Sequence, residues 1–201
     1  MNNQKGYTLV ELMIGLLIGL IVLSAVIYSF LTTLRSSRDV INSSVLNNEV
    51  MAVLDLMSGE FRRIGYNADS STSPAGGYYK ITSGGIESAS GNCIVYVYDR
   101  NSAGLSTASH SHSGFRLDGG RIKYADGLSS TSCDSSPGWG SSVIDSRITV
   151  SSLTITAVSE ALPSTDSMIT LEVGVSANVA QDPDWRLENV TKLVKLRNHY
   201  E

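Results

Sequence analysis

Glu11 has the most informative position in the chain, because this carboxylate directly precedes a long apolar segment. The twenty residues of Leu12–Leu31 include no charged side chain, and thirteen of them are Leu, Ile, Val or Phe. A helix of this length crosses a bilayer core of ~30 Å. Ionisable groups at membrane depth are usually there because they meet a partner. We therefore expect Glu11 to pair with a cation when this segment is in a membrane.

Gly6 is a small residue that lies on the wrong side of the apolar segment for an ordinary secretory signal. Such a signal has a basic start, an apolar stretch of about 7–15 residues and a cleavage site after that stretch. Here the polar residues 1–5 and Gly6 all precede the apolar segment. Cleavage after Gly6 would remove a leader, residues 1–6, and would leave the helix on the mature protein. A new ammonium group would then lie at Tyr7, about one helical turn from Glu11.

The segment Lys5–Ile14 resembles the N-terminal motif of type IV prepilins. That motif has a basic residue, Gly, an aromatic residue, Thr or Ser, two apolar residues and Glu. The resemblance implies that a prepilin peptidase cleaves between Gly6 and Tyr7 and methylates the amino group of Tyr7. It also implies that Glu11 meets the N-terminal ammonium of a neighbouring subunit in a filament. The one departure is Tyr7, where the family most often has Phe.

The pairing of Glu11 has a physical basis that does not depend on the family. Two charges in an apolar environment are each costly to desolvate, and a close pair recovers much of that cost. Glu11 would therefore penalise any stagger between neighbouring helices that leaves it without a cation. The alternative is that Glu11 only marks the end of the membrane span. The first interpretation predicts that Glu11→Ala inserts into the membrane but is lost from filaments.

Cys93 and Cys133 are the only cysteines in the chain, and two uses for them are open. The short basic leader is expected on the cytoplasmic side, which places the rest of the chain in an oxidising compartment where disulfides form. A disulfide would close a loop of about 40 residues and stabilise the fold by roughly 4 kcal/mol. The alternative is a metal site, which neither a C-x-x-C spacing nor a neighbouring His supports.

Three further segments contain possible metal ligands. They are the pair His110 and His112, the segment Asp99–Asn101 and the segment Asp182–Asp184. The Asp99–Asn101 segment is not followed by the distal Glu of a calcium loop, and Pro183 favours a turn. Two His separated by one residue in a loop are usually solvated. We therefore expect no metal site, no cofactor and no catalytic residue.

A long N-terminal helix is predicted to position Glu11. No Pro occurs before Tyr66, and Gly65 supplies a stop signal. We divide the helix into a membrane-spanning or filament-core part, residues 7–34, and an amphipathic continuation, residues 35–66. In the continuation, apolar residues recur at steps of three and four: Ile41, Val45, Leu46, Val50, Val53, Leu54, Met57, Phe61 and Ile64. Gly15 and Gly19 would let another helix approach closely, although this pattern is weak.

The remaining residues, 67–201, are predicted to form a β-rich domain. A Ser- and Gly-rich connection with a short strand at Tyr78–Ile81 leads into it. Alternating, β-branched or aromatic runs predict further strands: Cys93–Tyr98, Phe115–Leu117, Arg121–Tyr124, the region 148–157 as one bulged strand or a pair, Met168–Val175 and Lys192–Arg197. Asp118-Gly119-Gly120 predicts a compact hairpin. The expected fold is α+β, with a long helix packed on an antiparallel β-sheet, as in pilins.

The domain also resembles the PilW type of minor pilin. The similar positions are Cys93, Tyr96–Asp99, Gly114–Leu117, Cys133, Trp139 and Leu196–Asn198. Type II secretion pseudopilins of the J class share the same general plan. The resemblance implies a structural subunit in a tip complex that helps to initiate pilus assembly, with other minor and major pilins as partners through the N-terminal helix. It implies an inner-membrane protein with a periplasmic C-terminal domain that later reaches the pilus on the cell surface.

Three functions remain open at this stage. They are a minor pilin of the type IV pilus, a type II secretion pseudopilin, and a membrane-anchored periplasmic enzyme or receptor. The third leaves Gly6 and Glu11 without a role, so we expect a protein that is not an enzyme. Major pilins commonly have a Pro within the membrane helix, and its absence here favours a minor component. The net charge of −4 and a pI of about 5.4 give no indication of nucleic-acid binding.

Overall fold

The structure is a computed structural model of the chain. It describes residues 8–69, 77–100, 104–105, 112–128, 131–133, 138–161 and 167–197. The predicted cleavage position at Gly6 and Tyr7 lies outside these residues. Asn101 and His110, two of the possible metal ligands, lie outside them as well. The chain divides into two compact units, the residues up to Ser43 and the residues from Ser44 onwards.

The helix α1 spans Leu9–Phe61 without interruption, as the absence of Pro predicts. In the first unit its apolar side chains are exposed, and this is the stretch that is long and apolar enough to cross a membrane. In the second unit one stripe of the helix is buried: Leu46, Val50, Val53, Leu54, Met57 and Phe61. The helix ends a few residues before the predicted stop, since residues 62–65 form a turn in which Gly65 has a φ of 78°. That left-handed conformation favours Gly.

The second unit combines the end of α1 with antiparallel strands in two sheets, so the α+β prediction is confirmed. The strands are β1 Tyr79–Ser83, β2 Ile86–Glu87, β3 Ser90–Gly91, β4 Cys93–Tyr96, β5 His112–Asp118, β6 Arg121–Leu128, β7 Ile148–Ala161, β8 Ser167–Val179 and β9 Asp182–Lys195. One sheet has the order β2-β1-β4-β5-β6, and the other has the order β3-β7-β8-β9. The sequence predicted antiparallel pairing but not the division into two sheets.

The predicted hairpin at Asp118-Gly119-Gly120 joins β5 to β6. Asp118 pairs with Arg121, so Gly119 and Gly120 form a two-residue turn. Their φ values are 57° and 72°, as a type I′ turn requires at both central positions, and this turn type matches the twist of the two strands. This turn sets the register in which Phe115 pairs with Tyr124.

The second sheet decides between two predicted alternatives and corrects one prediction. The region from Ile148 is one strand, and its register against β8 shifts between Val150 and Ser152, so the bulged strand is the right alternative. The predicted turn at Asp182–Asp184 is wrong. Val179 pairs with Asp182, so the turn comes earlier and β9 already begins at Asp182. Pro183 is compatible with this strand because β9 is an edge strand, where a missing N–H costs little.

A single large core joins the buried stripe of α1 to both sheets. Phe61 is fully buried in this core and makes edge-to-face contacts with Tyr96 and Phe115, at centroid distances of 5.7 and 5.8 Å. Such contacts add to the free energy of burial. Ile148, Ile155, Leu171 and Val194 belong to the same core and come from the second sheet. The end of the helix is thus held in place by side chains from both sheets.

Candidate assembly site

Thr8 fixes the start of α1 and the position of Glu11. Its Oγ1 atom accepts a hydrogen bond from the backbone N–H of Glu11 at 3.3 Å, and its carbonyl accepts one from Leu12 at 3.2 Å. Thr8 is therefore the N-cap, and the Thr-x-x-Glu spacing is that of a capping box. Our sequence interpretation did not assign this role to Thr8, although the spacing is visible in the sequence. The cap places Glu11 in the first helical turn.

Glu11 lies on an exposed part of the helix among apolar neighbours. The residues around it are largely exposed, at 62% for Val10 and 66% for Leu12. No Lys, Arg or His occurs between Thr8 and Leu34. A cation for Glu11 in an apolar environment must therefore come from the N-terminal side of Thr8 or from another molecule. The amino group that cleavage would expose at Tyr7 is the type of cation that meets this requirement.

A polar cluster surrounds Glu60 near the other end of α1. The Oε2 atom of Glu60 accepts hydrogen bonds from the hydroxyls of Tyr96 at 3.1 Å and Tyr98 at 3.4 Å. Its Oε1 atom accepts one from the Arg63 guanidinium at 3.3 Å. Tyr96 is fully buried, and burial together with the Glu60 charge raises the pKa of its hydroxyl. Tyr96 therefore stays a neutral donor to the carboxylate.

Two arginines contact the ring of Tyr98 in the same region. The guanidinium carbon of Arg100 lies 4.8 Å from the ring centroid, and that of Arg63 lies 5.7 Å from it. The Arg100 guanidinium also forms an ion pair with Asp126 and donates a hydrogen bond to the hydroxyl oxygen of Ser113. The pKa of the Arg63 guanidinium is raised by its hydrogen bond with Tyr98 and by the Glu60 charge. Sequence patterns did not reveal this cluster, because its members come from distant parts of the chain.

Asp99, a possible calcium ligand in the sequence, has a structural role. It is buried, and its Oδ2 atom accepts hydrogen bonds from the backbone N–H groups of Gly104 at 2.9 Å and Ala68 at 3.2 Å. The carboxylate thus joins two loop segments. His112 begins β5 and pairs in register with Leu128. Among the residues that the structure describes, no group of three or more His, Cys, Asp or Glu side chains could hold a metal ion.

Cys93 and Cys133 form a disulfide, with a Cα–Cα distance of 6.3 Å. Cys93 belongs to β4, and Cys133 lies in residues 131–133, which follow β6 and are not part of a strand. Arg116 on β5 donates a hydrogen bond to the Cys133 carbonyl at 3.3 Å, and its guanidinium carbon lies 4.7 Å from the centroid of the Trp139 ring. Gly114 allows this packing, since a Cβ at that position would lie 3.0 Å from the Trp139 ring and 2.7 Å from the Ile94 carbonyl oxygen.

Two family models match the chain. The model for prepilin peptidase-dependent protein B matches residues 39–196, which is more than half of the chain. The model for the prokaryotic N-terminal methylation motif matches residues 1–27. This chain belongs to the prepilin peptidase-dependent protein B family. No curated protein and no solved structure matches it.

Membership of the prepilin peptidase-dependent protein B family supports the prepilin resemblance that rests on Lys5–Ile14. It implies processing by prepilin peptidase and pilin-like assembly. The apolar helix together with the methylation motif indicates membrane anchoring. The family match is coarser than the resemblance to PilW-type minor pilins. It identifies a pilin-like protein and leaves open which filament contains it.

Proposed function

We propose that this protein is a minor pilin of the PilW type, a structural subunit that helps to initiate type IV pilus assembly in a tip complex. It has no enzymatic role in this proposal. The observation that supports it best is the position of Glu11, an exposed carboxylate fixed in the first turn of a helix with no basic residue up to Leu34. The partners are other pilins, reached through this helix in the inner membrane and then in the pilus.

The role of Glu11 follows from the cost of leaving a carboxylate unpaired. Before assembly, Glu11 can remain near the lipid headgroups. In a filament, helices cover one another, and Glu11 must then find a cation or pay a desolvation penalty of several kcal/mol. The methylated amino group of Tyr7 on a neighbouring subunit supplies that cation. Only one stagger between helices brings the two charges together, so the pair sets the position of each new subunit.

The continuity of α1 supports a minor subunit over a major one. Major pilins commonly have a Pro that breaks the membrane helix. By contrast, α1 runs without interruption from Leu9 to Phe61. The alternative is a type II secretion pseudopilin, which has the same helix and the same Glu. Two observations distinguish these functions. A minor pilin is found in surface pili, and its deletion abolishes them, whereas deletion of a pseudopilin abolishes protein secretion.

The first experiment is Glu11→Ala, with Asp39→Ala as the matched control on the same helix. We expect normal amounts of the Glu11 variant in the membrane fraction and at least about tenfold less in sheared pili, because one partner of a buried ion pair is lost. The Asp39 variant should be present in both fractions. Immunoblots of the two fractions measure this. Normal incorporation of the Glu11 variant would refute the assembly role.

Processing has its own measurement. We expect mass spectrometry of the mature protein to show a chain that begins with N-methylated Tyr7. We expect Gly6→Val to retain the leader, since a bulky residue replaces the small one at the cleavage position. A purified protein that still begins with Met1 would favour the membrane-anchored enzyme or receptor instead.

A further inference from the structure

An arginine-rich cleft lies in the second unit, beyond the end of α1. It has a volume of about 600 Å³ and is lined by Arg62, Arg63, Arg100 and Arg197 together with Tyr66 and Tyr98. We call this surface the arginine cleft. These residues come from the turn after α1, the segment after β4 and the residues that follow β9. A concentration of basic side chains is unexpected in a chain with a net charge of −4.

Two of the four arginines already have acidic partners. Arg63 pairs with Glu60 at 3.3 Å, and Arg100 pairs with Asp126. Within the described ranges, no carboxylate pairs with Arg62 or Arg197. The cleft also includes Asp99, whose Oδ2 atom already accepts two backbone N–H groups. Even when the Asp99 charge is counted, the guanidinium groups of Arg62 and Arg197 leave the cleft with an excess of one positive charge.

Capping of the helix does not account for Arg62. A cation near the C-terminus of a helix can neutralise the last carbonyls. Here the turn performs that role with its own backbone, since the N–H groups of Arg62, Arg63 and Ile64 bond to the carbonyls of Ser58, Glu60 and Phe61 at 3.2, 3.0 and 3.1 Å. The guanidinium of Arg62 remains available to a ligand.

We propose that the arginine cleft binds an acidic peptide segment of a protein partner, with Arg62 and Arg197 holding its carboxylates. A guanidinium binds a carboxylate through two parallel hydrogen bonds. Tyr66 lines the cleft and is 45% exposed, so it provides an aromatic face for the rest of the segment. Arg and Tyr are the residue types that dominate the energetics of protein–protein interfaces.

The size and charge of the molecule favour a peptide over other anions. A cleft of about 600 Å³ is larger than a single phosphate requires and is in the range of ligand sites. Nucleic acids and anionic membranes attract proteins through an extended positive field, whereas this chain is acidic overall. A short acidic segment needs only the local charge of the cleft. This site does not depend on Glu11 or on the type of filament.

The test is a binding measurement with the full-length protein in detergent micelles. The probe is a fluorescent, end-blocked tetraglutamate peptide, and a tetraglutamine peptide is the neutral comparison. We expect saturable binding of tetraglutamate and none of tetraglutamine. The double variant Arg62→Gln/Arg197→Gln should bind at least about tenfold more weakly, because two charge-assisted contacts are lost. The double variant Arg35→Gln/Arg38→Gln removes the same charge from the first unit and should bind like the wild type.

Three results would overturn the proposal. The first is equal binding of tetraglutamate by the wild type and by the Arg62/Arg197 variant. The second is equal binding of the neutral peptide. The third is displacement of tetraglutamate by an equal or lower concentration of inorganic phosphate, or of phosphatidylglycerol added to the micelles. Displacement by phosphate would assign the cleft to a free anion, and displacement by phosphatidylglycerol would assign it to a lipid headgroup. Arg62 and Arg197 are exposed, so an unchanged circular dichroism melting curve is expected for the variant.

Discussion

Two parts of α1, residues 9–34 in the first unit and residues 44–61 in the second, have different surroundings. Leu17, in the first unit, is 58% exposed, whereas Leu54, in the second unit, is 2% exposed. The first part is apolar on all sides of the helix. The second part is apolar along one stripe, with polar residues between the stripe positions. One uninterrupted helix therefore has two different means of burying its apolar surface.

This difference shows where each part obtains its stability. A helix that is apolar all round needs lipid or other helices on every side. An amphipathic helix can bury its stripe against its own chain, and here both sheets cover it. In the proposed assembly, the first part exchanges lipid for neighbouring helices, whereas the stripe of the second part is covered by its own chain. We therefore expect the second part to be stable by itself, without a contribution from the first part to that stability.

The largest effect is expected from removal of the disulfide. The variant Cys93→Ala/Cys133→Ala should lower the free energy of unfolding of the β-rich unit by about 4 kcal/mol, because an open loop of 40 residues gains entropy when unfolded. Denaturant unfolding followed by Trp fluorescence measures this, since Trp139 packs beside the disulfide. The amount of this variant in the membrane fraction should equal that of the wild type. A variant as stable as the wild type would show that the surrounding contacts alone hold this segment.

A matched pair of leucine substitutions compares the two parts of α1 directly. Leu54→Ala should cost about 3 kcal/mol of unfolding free energy, because it leaves a cavity in the core. Leu17→Ala should change that free energy by less than about 0.5 kcal/mol, because the Leu17 side chain is 58% exposed and its truncation leaves no cavity. Both are measured by the same denaturant unfolding. Equal losses for the two variants would contradict the division of the helix into independent parts.

A smaller effect is expected from the polar cluster at the end of α1. Tyr96→Phe removes one hydrogen-bond donor to the partly buried Glu60 carboxylate and should cost about 2 kcal/mol of unfolding free energy. Tyr98→Phe is the control, since the Tyr98 hydroxyl makes a longer bond to the same oxygen at 3.4 Å and otherwise only accepts a solvent-exposed hydrogen bond from Arg63 at 3.3 Å. It should cost less. A larger loss for Tyr98→Phe would mean that the exposed side of the cluster contributes more than the buried side.

Much of the β-rich domain was predictable where the signal is local. The positive φ values of Gly119 and Gly120 follow from a two-residue turn, so Asp118-Gly119-Gly120 predicted both the hairpin and its position. The strand β9 was predicted only in its last residues. Its beginning, at Asp182-Pro183-Asp184, has the composition of a turn, and only the knowledge that β9 is an edge strand makes Pro183 acceptable there.

The candidate assembly site was predictable for the same reason. Glu11, the apolar segment and the Thr-x-x-Glu spacing all lie within one continuous stretch, and helix geometry alone relates them. The polar cluster was not predictable. Glu60 meets Tyr96 and Tyr98 across more than thirty residues of chain. No periodicity within one element reports such a contact.

By itself, the sequence determined that the chain has a long helix, that its first part is suited to a membrane, and that a carboxylate lies at its edge. These properties depend on residue spacing within a single helix, where neighbours in space are neighbours in sequence. Only the tertiary structure decided how the strands divide into two sheets and which side chains meet beyond the end of α1. Arg62, Arg100 and Arg197 come together there because both sheets share one core with the helix, and contacts between such distant residues leave no local pattern.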